Sequence, residues 1–273
     1  MGARFIAIER ADDPRIAEFR EIRERDLTGR QSRFIAEGTV VLRMLAEAHV
    51  AGKDFSAEKI LLLRNRVDGV ADIIERFPAD VPVYVAEADV LDGIVGFHLH
   101  RGVLALGRRE TGQEALVDRL PERSLVLVGC GISNHDNAGS MFRNAAAFKA
   151  DAIFLDETSC DPLYRKALRV SVGSVLSVPY MRGGSALDIL SSLARHGFDI
   201  WTLSPRGDTD IRSIPASGRM ALVVGTEGEG LPETVLSRFR CARIPQCEGL
   251  DSLNVATATG IALFAMSSAA DRI

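Results

Sequence analysis

The sequence predicts an α/β protein in two parts, a small N-terminal α/β unit followed by a larger parallel sheet covered by helices. Three observations carry this. The 273 residues suffice for two ordinary domains. Short apolar runs alternate with helical repeats along the whole length. In the second half, four runs (Leu125 to Val128, Ala152 to Leu155, Ile200 to Leu203 and Ala221 to Val224) read as buried strands, each alternating with a helical or loop segment, the pattern of a mostly parallel sheet covered by helices.

In chain order, Asp13-Pro14 predicts a helix start, with Asp as N-cap and Pro at the first helical position, and Ile16, Phe19 and Ile22 then repeat at helical spacing. A second helix follows Gly38-Thr39 with Val41, Met44, Leu45 and Val50 as its apolar stripe, and Lys59 to Leu63 and Val81 to Val85 read as strands. The polar stretch Arg108 to Arg123, with Gly112 and Pro121, reads as a linker, placing the domains at 1–120 and 121–273.

The composition, 47% hydrophobic and 26% charged, is that of a globular chain. No apolar run reaches membrane-spanning length and residues 1–12 lack a signal-like apolar core, so a cytoplasmic location is expected. Cys130, Cys160, Cys241 and Cys247 are widely spaced with no CxxC or Cys/His ligand pattern, which predicts reduced, mostly buried thiols and no metal. A net charge of -4 argues against holding nucleic acid by bulk electrostatics and leaves room for a local basic surface. The segment Arg15 to Arg33 interleaves arginines with Glu18, Glu21, Glu24 and Asp26, and reads equally as a solvated face laced with ion pairs or as an RNA contact. Its end, from Thr28 to Arg33, lacks acidic partners, so Arg30 and Arg33 are the phosphate-contact candidates.

Three segments of the second half carry chemistry. Ser133 to Phe148 follows a strand and enters a helix that Asp136 or Asn137 can cap. Met141, Phe142, Ala145 and Phe148 supply its buried stripe, while Arg143 and Asn144 project elsewhere. Ala221 to Leu231 runs from a strand into Gly225-Thr226-Glu227-Gly228-Glu229-Gly230, where backbone can approach a ligand closely. The spacing fits neither a P-loop nor GxGxxG, which excludes the usual triphosphate and dinucleotide cradles. Ile244 to Thr257 is a strand end and loop leading into a helix from Asp251 or Ser252 through Ala270. Ile261, Leu263, Phe264 and Met266 leave that helix no polar side, so it packs on its domain or on a second subunit.

In order and spacing these segments resemble the three motifs of the SpoU (TrmH-type) branch of the SPOUT RNA methyltransferases. The first matches at Asn137, Gly139, Arg143 and Ala145. The second matches at Gly225, Glu227, Gly228 and Gly230, and the third at Ile244, Pro245, Ser252, Leu253, Asn254 and Val255. Asp161 to Pro179 is similar to the family's connecting stretch at Arg169, Ser171, Gly173 and Pro179. In the first half, Phe34 to Gly38 and Gly96 to Leu106 are similar to a ribosomal-protein-like RNA-binding domain that some members carry. Two departures stand out: Ser133 to Asp136 replaces an Asp-Pro-Gly approach, and Lys149 stands where a Gly often follows the helix.

The resemblance implies a C-terminal parallel-sheet SPOUT domain tied in a trefoil knot, a topology that periodicity could not suggest. It also implies a homodimer and S-adenosylmethionine as cofactor. The cofactor would be held by Gly225, Thr226, Glu227, Gly228, Gly230, Ile244, Pro245, Ser252, Leu253 and Asn254. The implied reaction is methylation of a ribose 2′-hydroxyl in RNA, with ribosomal RNA favoured over transfer RNA by analogy with the N-terminal domain. Arg143, reaching in from the partner subunit, would be the central catalytic residue, completed by Asn137, Ser252 and Asn254, with Glu227 as a candidate proton acceptor. A guanidinium stays protonated, so Arg143 is read as a phosphate clamp and a stabiliser of alkoxide charge rather than a base. The rival readings are a non-catalytic RNA-binding protein that keeps the fold, and a nicotinamide-dependent oxidoreductase, for which the fingerprint is missing.

Overall fold

The computed structural model describes residues 5–20, 24–52, 54–95, 102–110, 115–247, 249 and 252–273, with the backbone alone at 24–26, 30, 94 and 95. Ile22, the side chain of Arg30, the run 96–101 and Asp251 therefore lie outside the described residues. The chain divides into two compact units, Met1–Gly112 with Leu163–Ser177, and Gln113–Pro162 with Val178–Ile273. The division falls earlier than the boundary expected near 120, and one later segment joins the first unit. The polar look of 108–123 misleads for a local reason. Arg108 and Arg109 complete a strand, while Leu116, Val117 and Leu120 are buried in the second unit's core.

The first unit runs β1 (Phe5–Ile8), α1 (Glu24–Gln31), β2 (Arg33–Glu37), α2 (Thr39–Val50), β3 (Phe55–Leu63), α3 (Ala71–Ile74), β4 (Val83–Ala86), α4 (Ala88–Val95) and β5 (Val103–Arg109). Its five strands form a mixed sheet in the order β1-β4-β3-β5-β2, with β1, β4 and β3 parallel and β5 antiparallel to both β3 and β2. Asp13 caps a 3-10 helix, Pro14–Phe19, by accepting from the Arg15 N–H, and Ile16 and Phe19 are fully buried in the core with Ile35, Leu61 and Leu104. In α2 the buried face is Val41, Leu42, Leu45, Ala46 and Ala48, whereas Val50, expected inside, is 62% exposed because it closes the helix's last turn.

Arg33 has no acidic partner within Thr28 to Arg33 but meets carboxylates from elsewhere in the unit. Its guanidinium lies 2.8 Å from Glu58, which also accepts from Arg108 Nε at 2.5 Å, and Glu18 stands 4.0 Å away. Burial pushes the Glu18 carboxyl up, but the hydrogen bond from Lys59, a backbone N–H and the charges of Lys59 and Arg33 outweigh it and hold it below the usual carboxylate range. A lowered carboxylate adds stability at neutral pH that is lost as pH falls through that lowered value. Glu37, buried at the end of β2, accepts from Arg169 at 3.4 Å, which ties the Leu163–Ser177 segment into this unit.

The second unit begins with β6 (Ser124–Gly129), α5 (His135–Ala147) and β7 (Ala152–Leu155). The chain then gives α6 (Arg165–Val170) to the first unit and continues with β8 (Tyr180–Arg182), α7 (Ala186–Arg195), β9 (Asp199–Leu203) and β10 (Thr209–Asp210). It ends with β11 (Arg219–Val224), α8 (Glu233–Leu236), β12 (Arg240–Arg243) and α9 (Val255–Ala269). The seven strands found among the described residues are all parallel, in the order β10-β12-β9-β11-β6-β7-β8, as the apolar runs predict. Chain order reverses at the β11–β6 pair, and a doubly wound sheet binds ligands at the strand C-terminal ends near such a reversal.

Two helix starts differ from expectation. The cap of α5 is Asn134, whose side chain accepts from the Asp136 N–H at 2.8 Å, so Asp136 and Asn137 lie inside the first turn. The cap of α9 is Asn254, accepting from Ala256 N and Thr257 N, so the helix begins at Val255 rather than near residue 251 or 252. In both cases a short Asn side chain two residues ahead of the bonded N–H competes best for the free donors.

Lys149 explains one departure noted above. It follows the C-cap of α5 with φ 53, and the Ala150 N–H bonds back to Ala145 O at 2.9 Å, the arrangement of a helix ended by a left-handed residue. A Cβ is strained there. Lys149→Gly is expected to raise stability by about 0.5–1 kcal/mol, seen as a higher urea midpoint at unchanged slope. A lower midpoint would show that the lysine side chain matters more than its backbone strain.

Candidate functional site

The C-terminal ends of β9, β11 and β12, together with the start of α9, enclose a cavity of about 320 Å³ within the second unit. That is at the lower end of small-molecule sites. One wall is the turn after β11, Gly225 through Leu231. Another is Ile244, Gln246, Ser252, Leu253, Val255 and Ala258, and a third is Leu203, Ser204, Pro205 and Arg206. The turn folds tightly on itself: the Thr226 N–H reaches Gly230 O at 3.3 Å, and a Cβ on Gly225 would sit 2.4 Å from the Gly230 backbone. Only glycine fits at 225. The walls mix apolar side chains with polar ones, with Arg206, Glu227 and Glu229 as the charged lining residues and the Gln246 amide among the neutral ones.

Asn254 joins the three chemical segments. While its Oδ1 caps α9, its Nδ2 donates to Asn137 Oδ1 at 2.9 Å and to Glu227 Oε1 at 2.5 Å. Asn137 is buried in the first turn of α5. The helix that carries Arg143, the glycine turn and the last helix are thus fastened at one amide. The contact between α5 and α9 continues through Asn144, whose Nδ2 donates to Ala256 O at 2.8 Å, and through the rings of Phe148 and Phe264, 5.8 Å apart. Phe148 is therefore only half-buried, at the helix end, whereas Met141, Phe142 and Ala145 form the buried stripe.

Behind the site, Asp156 organises the loop between β6 and α5. It is buried and accepts from Gly131 N at 3.0 Å, Ser159 N at 2.9 Å, Ser159 Oγ at 2.7 Å and Thr158 Oγ1 at 3.0 Å. Ser159 Oγ in turn accepts from Ile132 N at 3.0 Å.

Of the residues singled out from sequence, Gly225, Thr226, Glu227, Gly228, Gly230, Ile244, Ser252 and Leu253 line the cavity together. Pro245 is exposed and outside the lining, and Asn254 acts through its hydrogen bonds. Arg143 is exposed on α5, does not line the cavity, and no hydrogen bond or ion pair is found for it among the described residues. Leu203 to Arg206, Gln246 and Asp156 were missed. The signal that could have found two of these groups is positional: Leu203 to Arg206 close β9 and Asp156 follows β7, both at strand C-terminal ends.

The thiols differ from the expectation of mostly buried groups: Cys130 alone is buried, Cys160 and Cys241 are half-buried, and Cys247 is exposed. Burial, then the charge of Asp156, pushes the Cys130 thiol up to about 12. Burial, then Asp161, pushes Cys160 up to about 11. Both stay protonated at neutral pH, which disqualifies them as nucleophiles.

Residues 124–264, the span holding all three segments and the cavity, match the SpoU rRNA methylase family. A Mycobacterium bovis protein named a tRNA/rRNA methyltransferase is 38% identical over 265 residues, covering 93% of this chain and 88% of its own length. A Salmonella typhimurium 23S rRNA (guanosine-2'-O-)-methyltransferase is 29% identical over 220 residues, covering 76% of this chain and 88% of that one. Among solved structures, an AdoMet-bound rRNA methyltransferase from Sinorhizobium meliloti superposes with a TM-score of 0.79 at 24% identity, over 97% of this chain and 98% of the other. With the family match spanning the whole site and a relative of this identity aligned nearly end to end, the chain belongs to the SpoU rRNA methylase family.

Proposed function

We propose that this protein transfers a methyl group from S-adenosylmethionine to a ribose 2′-hydroxyl of ribosomal RNA. The observation that carries the reading is the cavity walled by the glycine turn and the third segment, with Asn254 tying both to the helix of Arg143. The relatives support the chemistry: one is named for 2'-O-methylation of 23S rRNA, and one neighbour was solved with AdoMet bound.

The residues present suit such a cofactor. Apolar Leu203, Val224, Leu231, Ile244 and Leu253 can flank a purine, while Arg206 and the carboxylate Glu229 offer counter-charges to an amino acid's two ends. When bound, the sulfonium supplies an activated methyl group whose departure needs no acid. What the chain must add is the in-line placing of the ribose oxygen and a route for its proton. Arg143 clamps the adjoining phosphate through its planar fork and stabilises the developing oxyanion. Asn254 and Asn137 fix the geometry of Glu227, which accepts the proton or passes it to water, and Ser252 stands at the cavity's rim.

Because Arg143 does not line its own chain's cavity, the proposal includes a homodimer in which each subunit sends Arg143 to the other's pocket. The surface of α9 suits such contact, with Ile261 40% and Phe264 54% exposed. The trefoil knot, the RNA-binding role of the first unit and a cytoplasmic location belong to the same proposal.

The test is calorimetric titration with S-adenosylmethionine, followed by transfer of labelled methyl to purified ribosomal and transfer RNA fractions and mapping of the modified position. Binding followed by a 2′-O-methyl mark in ribosomal RNA is the expected result. No binding removes the enzyme reading, a mark on a base removes the ribose assignment, and a mark confined to transfer RNA reassigns the substrate.

A further inference from the structure

Gln246 stands out among the cavity residues. Its Oε1 is buried and has no hydrogen-bond partner among the described residues, although Gln246 lines the cavity beside Ile244 and Leu253. Buried acceptors are nearly always satisfied, so one left open at a ligand site marks where a ligand's donor arrives. Resting on the reading that the cavity takes S-adenosylmethionine, three donors of that molecule could meet it. The ammonium group is better matched by the carboxylate Glu229, which lines the same cavity and forms stronger charge-assisted bonds than a neutral amide. The ribose hydroxyls both donate and accept, and so make no demand for an obligate acceptor. The exocyclic amino group of adenine only donates. A glutamine matches that edge in two places, its oxygen taking the amino N–H and its amide N–H₂ reaching the ring N7.

We propose that Gln246 is the residue that selects adenine in this cavity, accepting from the exocyclic amino group through Oε1. A hypoxanthine ring, which carries a carbonyl at that position, would set two acceptors against each other. Specificity for the amino purine then comes from one unsatisfied oxygen in an apolar wall, the arrangement that discriminates most strongly when the wrong partner leaves it unpaired.

The experiment is calorimetric titration of the full chain with S-adenosylhomocysteine and with its deaminated counterpart, S-inosylhomocysteine, in the wild type, Gln246→Met and Gln246→Glu. The wild type is expected to prefer the adenosyl ligand roughly tenfold to a hundredfold. Gln246→Met has similar volume without the polar atoms, and its preference is expected to fall to about threefold or less. Gln246→Glu keeps an acceptor oxygen and so keeps the direction of preference. A wild-type ratio near one, or an unchanged ratio in Gln246→Met, overturns the proposal while leaving the cofactor reading in place. Binding of neither ligand by the wild type overturns both.

Discussion

Arg143→Lys is expected to slow methyl transfer by roughly 10²- to 10³-fold, the size of effect seen when one positioned donor to a developing oxyanion is lost. S-Adenosylmethionine affinity should change by about twofold or less, because the clamp holds the RNA phosphate rather than the cofactor. The charge survives the substitution, so the loss isolates geometry. A guanidinium presents two parallel N–H groups to a phosphate, whereas an ammonium is a point charge on a flexible stem. Arg143 is exposed and has no ion pair among the described residues, so the fold should be untouched, and an unchanged thermal midpoint serves as the control. Retention of full activity by Arg143→Lys would end the clamp assignment.

The same residue tests the dimer. Arg143→Ala and Asn254→Ala damage different parts of the site, the first the RNA clamp and the second the bridge among Asn137, Glu227 and α9. If Arg143 serves the partner's pocket, mixing the two inactive proteins and allowing subunits to exchange restores one intact site in each mixed dimer. About a quarter of wild-type activity should return, since half the dimers are mixed and half their sites are whole. No recovery despite confirmed exchange would place Arg143 in its own subunit's site.

The parallel sheet was legible because strands buried on both faces leave apolar runs, and four of the seven strands announce themselves this way, β9 with Thr202 inside its run. The glycine turn was legible because 225 tolerates no side chain. Helix starts were less so. Asn134, Asp136 and Asn137 are all competent caps in the sequence, and only the backbone path decides among them, at Asn134. The domain division was the hardest to read. Leu163–Ser177 looks like any α/β connection, and its attachment to the first unit rests on distant contacts such as Arg169 with Glu37, 132 positions apart, and Gly173 against Met44. No local pattern reports a pairing of that range. Gln246 and Asp156 escaped for a related reason: single polar residues gain meaning only from what surrounds them.

Asp156 is where that lesson has its largest energetic consequence. Asp156→Ala removes the acceptor for two backbone N–H groups, of Gly131 and Ser159, and for the hydroxyls of Ser159 and Thr158. Each bond to a carboxylate contributes about 1.5–3 kcal/mol, and stranded buried donors keep their desolvation cost. Since the bonds share one group they do not add, and a loss on the order of 3–5 kcal/mol is expected in urea unfolding. Asp156→Asn keeps one acceptor oxygen and should lose less than half of that. The damage should also reach the cavity. Gly131 has φ +69 and lies so close to the glycine turn that a Cβ there would sit 2.6 Å from Thr226 Cγ2, so the loop that Asp156 holds is the support behind a cavity wall. Asp156→Asn, folded but with a loosened loop, is therefore expected to bind S-adenosylmethionine about tenfold more weakly. Lost stability with intact affinity would confine Asp156 to the scaffold, whereas both losses together would make it the residue through which the scaffold positions the site.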